Sequence, residues 1–220
     1  SRIYQFTLNT PWDISTTYGI VRQILTMPQE GIPTGLKFSP DGTKAYIVGY
    51  ASDTIYQYTL TTPWNISTGS YASKSLSVAS QENSPFGLAF SPDGTEVYVV
   101  GQQANKVHQY DLTVAWDIST GSYANKSLTI TGSSGGVDNV KPTELTLSSD
   151  GTKMYITTAY KVVGSQLISH AYVFQYTIPE AYPDLSPCDL CDGTGPPGDC
   201  PIAPHVIKRD LGGMFMMLLD

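Results

Sequence analysis

Apolar and polar side chains alternate along this chain in short runs with a period of two. Ala45-Tyr46-Ile47-Val48, Val97-Tyr98-Val99-Val100 and Met154-Tyr155-Ile156 are the clearest examples. That period belongs to strands with two unlike faces. No segment combines a 3.6-residue period with helix caps. Each run follows a turn phrase: Ser39-Pro40-Asp41-Gly42-Thr43, Ser91-Pro92-Asp93-Gly94-Thr95 and Ser148-Ser149-Asp150-Gly151-Thr152. Pro presets φ and Gly accepts a positive φ, so the phrase predicts a tight hairpin between two strands.

The phrases recur in register. Ile3-Tyr4-Gln5-Phe6 returns as Ile55-Tyr56-Gln57-Tyr58, Val107-His108-Gln109-Tyr110 and Val173-Phe174-Gln175-Tyr176. Trp12, Trp64 and Trp116 keep a step of 52 residues, each followed by Asp or Asn and then Ile-Ser-Thr. Tyr182-Pro183-Asp184-Leu185-Ser186 is a degraded fourth copy of that phrase. The third unit is longer, with extra residues around Ser133 to Asn139 and Val162 to Leu167, where a repeat scaffold tolerates insertion.

One unit reads as four strands: Pro33 to Ser39, Ala45 to Gly49, Thr54 to Leu60 and Tyr71 to Val78. Four-stranded units at this period predict an all-β, β-propeller-like array of blades. The boundaries are a partial blade at 2–27, blades at 32–80 and 84–131, and a partial blade at 140–178. A closed propeller typically needs at least four blades. The count therefore leaves three expectations: a further N-terminal portion, N-terminal strands that complete the last blade to close a small ring, or a partner chain that fills the gap.

Composition narrows the partners. The net charge is −7 and the 12 basic residues are scattered, apart from Lys208-Arg209, so nucleic acid is excluded as a ligand. No apolar stretch is long enough for a membrane span. The chain opens Ser1-Arg2-Ile3 with neither an initiator Met nor a signal-peptide pattern, as expected of a piece of something longer. Sequons at Asn65 and Asn125 are candidates for glycosylation.

The phrase Ser91-Pro92-Asp93-Gly94-Thr95-Glu96-Val97-Tyr98-Val99-Val100-Gly101 resembles the blade motif of YVTN-type β-propellers. With Tyr56 to Leu60, Trp64 to Thr68 and Ser77 to Gln81, the repeat resembles that of surface and virion structural proteins of aquatic bacteria and their phages. The resemblance covers residues 1 to about 186. It implies a non-enzymatic structural subunit of an extracellular fibre or of a virion tail or capsid surface, a glycoprotein partnered by copies of itself in a homo-oligomer or filament. Its expected location is extracellular, on a cell or virion surface. An adhesion module for surface carbohydrate is the first alternative, and a lactonase- or quinoprotein-like propeller enzyme the second.

Catalytic candidates are few. His108 stands in a slot held by Tyr in its repeat mates, which predicts a half-exposed strand residue. His170 lies in the third-unit insertion without an acidic neighbour in sequence. Asp41, Asp93 and Asp150 recur in register, and the hairpin turn accounts for them better than a metal does. Neither a Gly-x-Ser-x-Gly elbow nor a His-Glu-x-x-His helix is present, and no catalytic residue is assigned. Trp12, Trp64 and Trp116 serve either blade packing, the favoured reading, or stacking on sugar rings.

After residue 178 the composition changes. Residues 179–205 form a Pro-rich arm carrying Cys188, Cys191, Cys200 and His205. The Cys188-x-x-Cys191-x-Gly193-x-Gly195 box resembles one copy of the zinc box of DnaJ-type chaperones. A disulfide between two of the three cysteines is preferred over zinc bound by all four residues, and no other cofactor is expected. Residues 206–220 form an apolar tail, and its run Met214, Phe215, Met216, Met217, Leu218 and Leu219 is the candidate assembly contact.

Overall fold

The computed structural model describes residues 1–16, 23–130, 139–163, 166–168 and 173–177. They form antiparallel sheets that follow the sequence repeat. A two-stranded sheet pairs β1 (Arg2–Gln5) with β2 (Gln23–Thr26). The first complete blade is β3 (Pro33–Phe38), β4 (Lys44–Gly49), β5 (Thr54–Leu60) and β6 (Gly69–Ser77), in that spatial order. The second repeats it with β7 (Pro85–Phe90), β8 (Glu96–Gly101), β9 (Lys106–Leu112) and β10 (Gly121–Thr129). In the third, β11 (Asn139–Leu147) pairs with β12 (Lys153–Val163), and β12 pairs with both β13 (Gln166–Ile168) and β14 (Val173–Thr177). The extra residues around Val162 to Leu167 thus lengthen β12 and add β13, which pairs antiparallel with the end of β12.

Each hairpin phrase works through its Asp. The Asp41 carboxylate accepts from the Ser39 hydroxyl and from the Thr43 N–H and hydroxyl, and Asp93 and Asp150 repeat the pattern. These bonds favour the charged form, and they lower Asp41 and Asp150 to about 2. The Asp is therefore a turn residue. The third phrase keeps the fold without Pro because its Asp and Gly suffice.

Sheets stack face to face. Tyr46, Val48 and Ile55 of the first blade meet Leu88, Val97 and Val99 of the second in one buried cluster. Ala89, Val100 and Val107 meet Leu145, Met154 and Ile156 of the third in another. Leu25, Met27 and Ile3 of the half-blade pack on Ala45, Ile47 and Tyr58. Both faces of a central blade are therefore buried, so β4 and β8 carry nearly continuous apolar runs in place of the apolar–polar alternation expected of strands with two unlike faces.

Polar clasps tie the turn at one blade's foot to the blade before it. Gln5 donates to the Trp64 carbonyl at 2.8 Å and accepts from the Ile66 N–H at 2.9 Å. One repeat on, the buried Gln57 accepts from Ile118 N–H at 3.0 Å and the Tyr46 hydroxyl donates to the Trp116 carbonyl at 2.7 Å. The Lys74–Asp117 ion pair adds to the second junction.

Candidate functional site

In a ring of such blades, the first strand of each unit lies closest to the axis, so β3, β7 and β11 form the inner wall. Their sequences are aligned repeats: Pro33-Thr34-Gly35-Leu36-Lys37-Phe38, Pro85-Phe86-Gly87-Leu88-Ala89-Phe90 and Pro142-Thr143-Glu144-Leu145-Thr146-Leu147. The Gly slot lets neighbouring strands approach: a Cβ on Gly35 would sit 2.9 Å from the Phe86 carbonyl, and one on Gly87 2.9 Å from Glu144 Cα. Against that scaffold two charged residues depart from their repeat mates. Lys37 stands where the other units have Ala89 and Thr146, and Glu144 replaces the Gly.

These two departures meet. Lys37 Nζ lies 3.3 Å from Glu144 Oε1 across the inner strand of the second blade, and both side chains keep access to solvent. Glu144 Oε1 also accepts from Leu145 N–H at 3.1 Å. A solvated ion pair of this kind contributes little stability, about 0–1 kcal/mol, so packing gives no reason for two charges at these slots. Chemically, it places a carboxylate able to accept a proton beside a cation able to stabilise an oxyanion.

Other ionisable groups are consumed by the scaffold. Buried Glu30 accepts from Ile32 N–H, Ala51 N–H and the Ser52 hydroxyl. Its repeat mate Glu82 accepts from the N–H groups of Ser84, Gln103 and Ala104. Desolvation raises Glu82 despite those bonds. Asp53 is likewise raised by burial and by Glu30 nearby, and its Oδ1 lacks a hydrogen-bond partner. Lys141 Nζ donates to the Gln102 carbonyl. Among the described residues, no three His, Cys, Asp or Glu side chains converge to hold a metal.

His108 differs from expectation: it is buried, not half exposed. It packs against Tyr123, and neither ring nitrogen has a partner. Desolvation, with Lys106 adding repulsion, pushes it below the ordinary imidazole range. The unfolded chain therefore takes up this proton first, and stability falls as pH drops below the unfolded value of about 6.5. Thermal melts of wild type should lose midpoint temperature between pH 7 and pH 5. His108→Tyr, which restores the residue of the neighbouring unit, should flatten that slope.

The tryptophans sit at the blade feet in a left-handed conformation, with φ of 67, 62 and 61° at Trp12, Trp64 and Trp116. Trp64 lies on Gly42 and beside Phe38; Trp116 lies on Gly94 and beside Phe90 and Tyr46. Trp12 is 97% exposed. A groove of about 460 Å³ between the second and third blades is lined by Asp93, Glu96, Tyr98 and Asp150. It lies at the position that Trp116 fills one junction earlier. The Asn65 amide caps the turn Ile66–Thr68 by accepting from Ser67, whereas Asn125 is exposed on a strand bulge. His170, Cys188, Cys191, Cys200, His205 and the run Met214 to Leu219 lie outside the described residues.

A model of the family described as "Lactonase, 7-bladed beta-propeller" matches residues 33–185. No curated protein matches significantly. Among solved structures, a putative 6-phosphogluconolactonase from Bacteroides uniformis is 16% identical with a TM-score of 0.51, over 82% of this chain and 48% of that one. A periplasmic gluconolactonase from Pseudomonas aeruginosa is 17% identical with a TM-score of 0.39, over 60% and 38%. Sqt1 from Chaetomium thermophilum is 19% identical with a TM-score of 0.42, over 72% and 36%. At these identities the structural likeness shows the fold alone, and this chain spans about half the length of the first of them.

The family match overturns three expectations: the YVTN-type virion resemblance, the non-enzymatic structural subunit with its adhesion alternative, and the absence of enzymatic character. The physical reason is that the Ser-Pro-Asp-Gly-Thr hairpin and the Tyr-bearing strand after it are what a four-stranded blade needs. They report the scaffold, and a scaffold hosts many functions.

Proposed function

This chain belongs to the lactonase, 7-bladed beta-propeller family, and on that premise we propose that it supplies three blades and the reactive pair of a lactone hydrolase. The observation that carries the reading is the meeting of Lys37 and Glu144 on the inner wall, 3.3 Å apart and open to solvent. Glu144 takes a proton from water as the water oxygen bonds to the lactone carbonyl carbon. Lys37 stabilises the oxyanion that forms. The ring C–O bond then breaks, the alcohol oxygen recovers a proton, and a hydroxy acid is released, which ionises at neutral pH.

Charge favours a neutral sugar lactone over a phosphorylated one. Lys37 is already balanced by Glu144, and the chain carries a net charge of −7, which repels an anionic substrate. Glu144→Gln preserves shape and removes the base. It should lower the rate of lactone opening by about 100-fold or more, the scale of general base catalysis. Lys37→Met should lower it by a similar or smaller factor. Initial rates of acid release, measured for both variants after a circular dichroism check of folding, test the assignment. Unchanged rates in both variants would remove it.

A further inference from the structure

A groove of about 390 Å³ crosses the feet of the three inner strands. It is lined by the ends of β3, β7 and β11, by the hairpins that follow them and by Trp116. Phe38, Phe90 and Trp116 make it aromatic, and the Phe90 and Trp116 rings lie 5.2 Å apart between centroids. Lys37 lines it as well, so the groove adjoins the Lys37–Glu144 pair. Its volume stands near the low end of the range of small-molecule sites, about 300–1,000 Å³, which is room for one small ring with its substituents.

The repeat shows which of these residues the scaffold requires. The aligned slots read Lys37-Phe38-Ser39-Pro40, Ala89-Phe90-Ser91-Pro92 and Thr146-Leu147-Ser148-Ser149. The Ser recurs because its hydroxyl donates to the hairpin Asp in all three units. The first slot instead holds a cation, a methyl group and a hydroxyl, and the third unit exchanges Phe for Leu and Pro for Ser. All three hairpins close alike, with the Gly N–H donating to the Ser carbonyl at 2.9 Å, so folding does not ask for those exchanges. Together they set the Lys37 cation and the Thr146 and Ser149 hydroxyls at the border of an aromatic wall. A sugar ring has the matching chemistry: its C–H faces lie on apolar and aromatic surface, and its rim of hydroxyls needs hydrogen-bonding partners. Ala89 holds the slot of the central unit, and its mate Lys37 shows that this slot can carry a long side chain. A methyl group there leaves the space to a ligand.

We propose that this groove holds the ring of a neutral sugar lactone, with its carbonyl at Lys37, and that Ala89 decides how large a ring enters. The inference rests on the hydrolase reading for its substrate, and adds the place of the ring and the residue that selects it. A longer side chain at position 89 takes up the room of the ring's substituents, and a bulky one at position 149 does so from the hairpin side. Neither residue touches the reacting atoms. Both act on the fit of the ring and not on proton transfer at Glu144.

Calorimetric titration with a gluconolactam, the amide analogue of the lactone, reads ring binding without hydrolysis. Ala89→Met and Ser149→Trp should each weaken it about 10-fold or more, the scale of a mis-sized group in a small pocket. Ala89 touches the buried cluster between the second and third blades, whereas Ser149 is exposed in a hairpin, so the second variant keeps the test sound if the first misfolds. In acid-release assays the KM for the sugar lactone should rise by a similar factor. The fall in kcat/KM should be about fivefold larger for it than for unsubstituted butyrolactone. A wild-type chain that does not bind the lactam would overturn the proposal, as would Ser149→Trp binding it as wild type does. Lactam binding that both variants lose, in a chain that opens no lactone, would support the groove as the ring's site and overturn the hydrolase reading alone.

Discussion

Gly94→Ala should cost about 3 kcal/mol or more of stability, while the chemically identical Gly151→Ala should cost about 1 kcal/mol. Both glycines close the same hairpin phrase, with φ of 74 and 69°. The left-handed backbone penalises either alanine by the same small amount. What differs is the neighbour. A Cβ on Gly94 would lie 2.1 Å from the Trp116 indole, and no described atom lies within 4 Å of the corresponding point on Gly151. Trp116 is pinned by its N–H to the Gly94 carbonyl and by contacts with Phe90 and Tyr46, so it cannot step aside without opening the junction between the first two blades. Urea unfolding of the two variants reads the difference directly. Equal losses would mean that turn strain, and not the Trp–Gly stack, is what the glycine serves.

Glu82→Ala should be comparably damaging, at about 3–5 kcal/mol. The carboxylate is 1% exposed and accepts from three backbone N–H groups that join the approach to β7 with the turn between β8 and β9. Each orphaned buried donor costs about 1–3 kcal/mol, moderated where water enters the space left behind. Glu82→Gln keeps the volume but turns an amide N–H₂ toward donors, so it should recover only part of the loss. Hydrogen exchange at Gln103 and Ala104 should accelerate in both variants ahead of the blade core. Protection that persists there would show that the turn is held by its own backbone bonds.

The repeat made the scaffold legible and left the chemistry hidden, for the same reason. Residues that recur every 52 positions are those every blade needs, such as the Asp of the hairpin, the Gly beneath the Trp and the Gln of the clasp. Strand limits followed from that recurrence almost to the residue: Thr54–Leu60 is as read, and β6 begins at Gly69 because the cap of the preceding turn runs straight into it. Lys37 and Glu144 carry no motif. They stand out only as departures from aligned slots, Ala89 and Thr146 in one case and Gly35 and Gly87 in the other. That subtraction was available in the sequence, but it required knowing that the first strand of the unit is the inner one.

His108 shows the opposite failure. Its Tyr mate at 56 is only partly buried, so a half-exposed imidazole was the natural reading. Tyr123 packs on the His108 ring, and the residue is 5% exposed. Glu30 and Glu82 carry no signal in the sequence, because the role of a lone acid in a loop shows only in the N–H groups it gathers.

Lactone hydrolysis by this chain, as proposed, is read from acid release from a neutral aldonolactone at fixed pH. The spontaneous rate in the same buffer is the reference. Purified protein should raise the rate in proportion to its concentration, with saturation as the lactone is increased and little acceleration of a phosphorylated analogue. A rate equal to that of buffer at every protein concentration, from a sample whose fold and native mass have been verified, would contradict it.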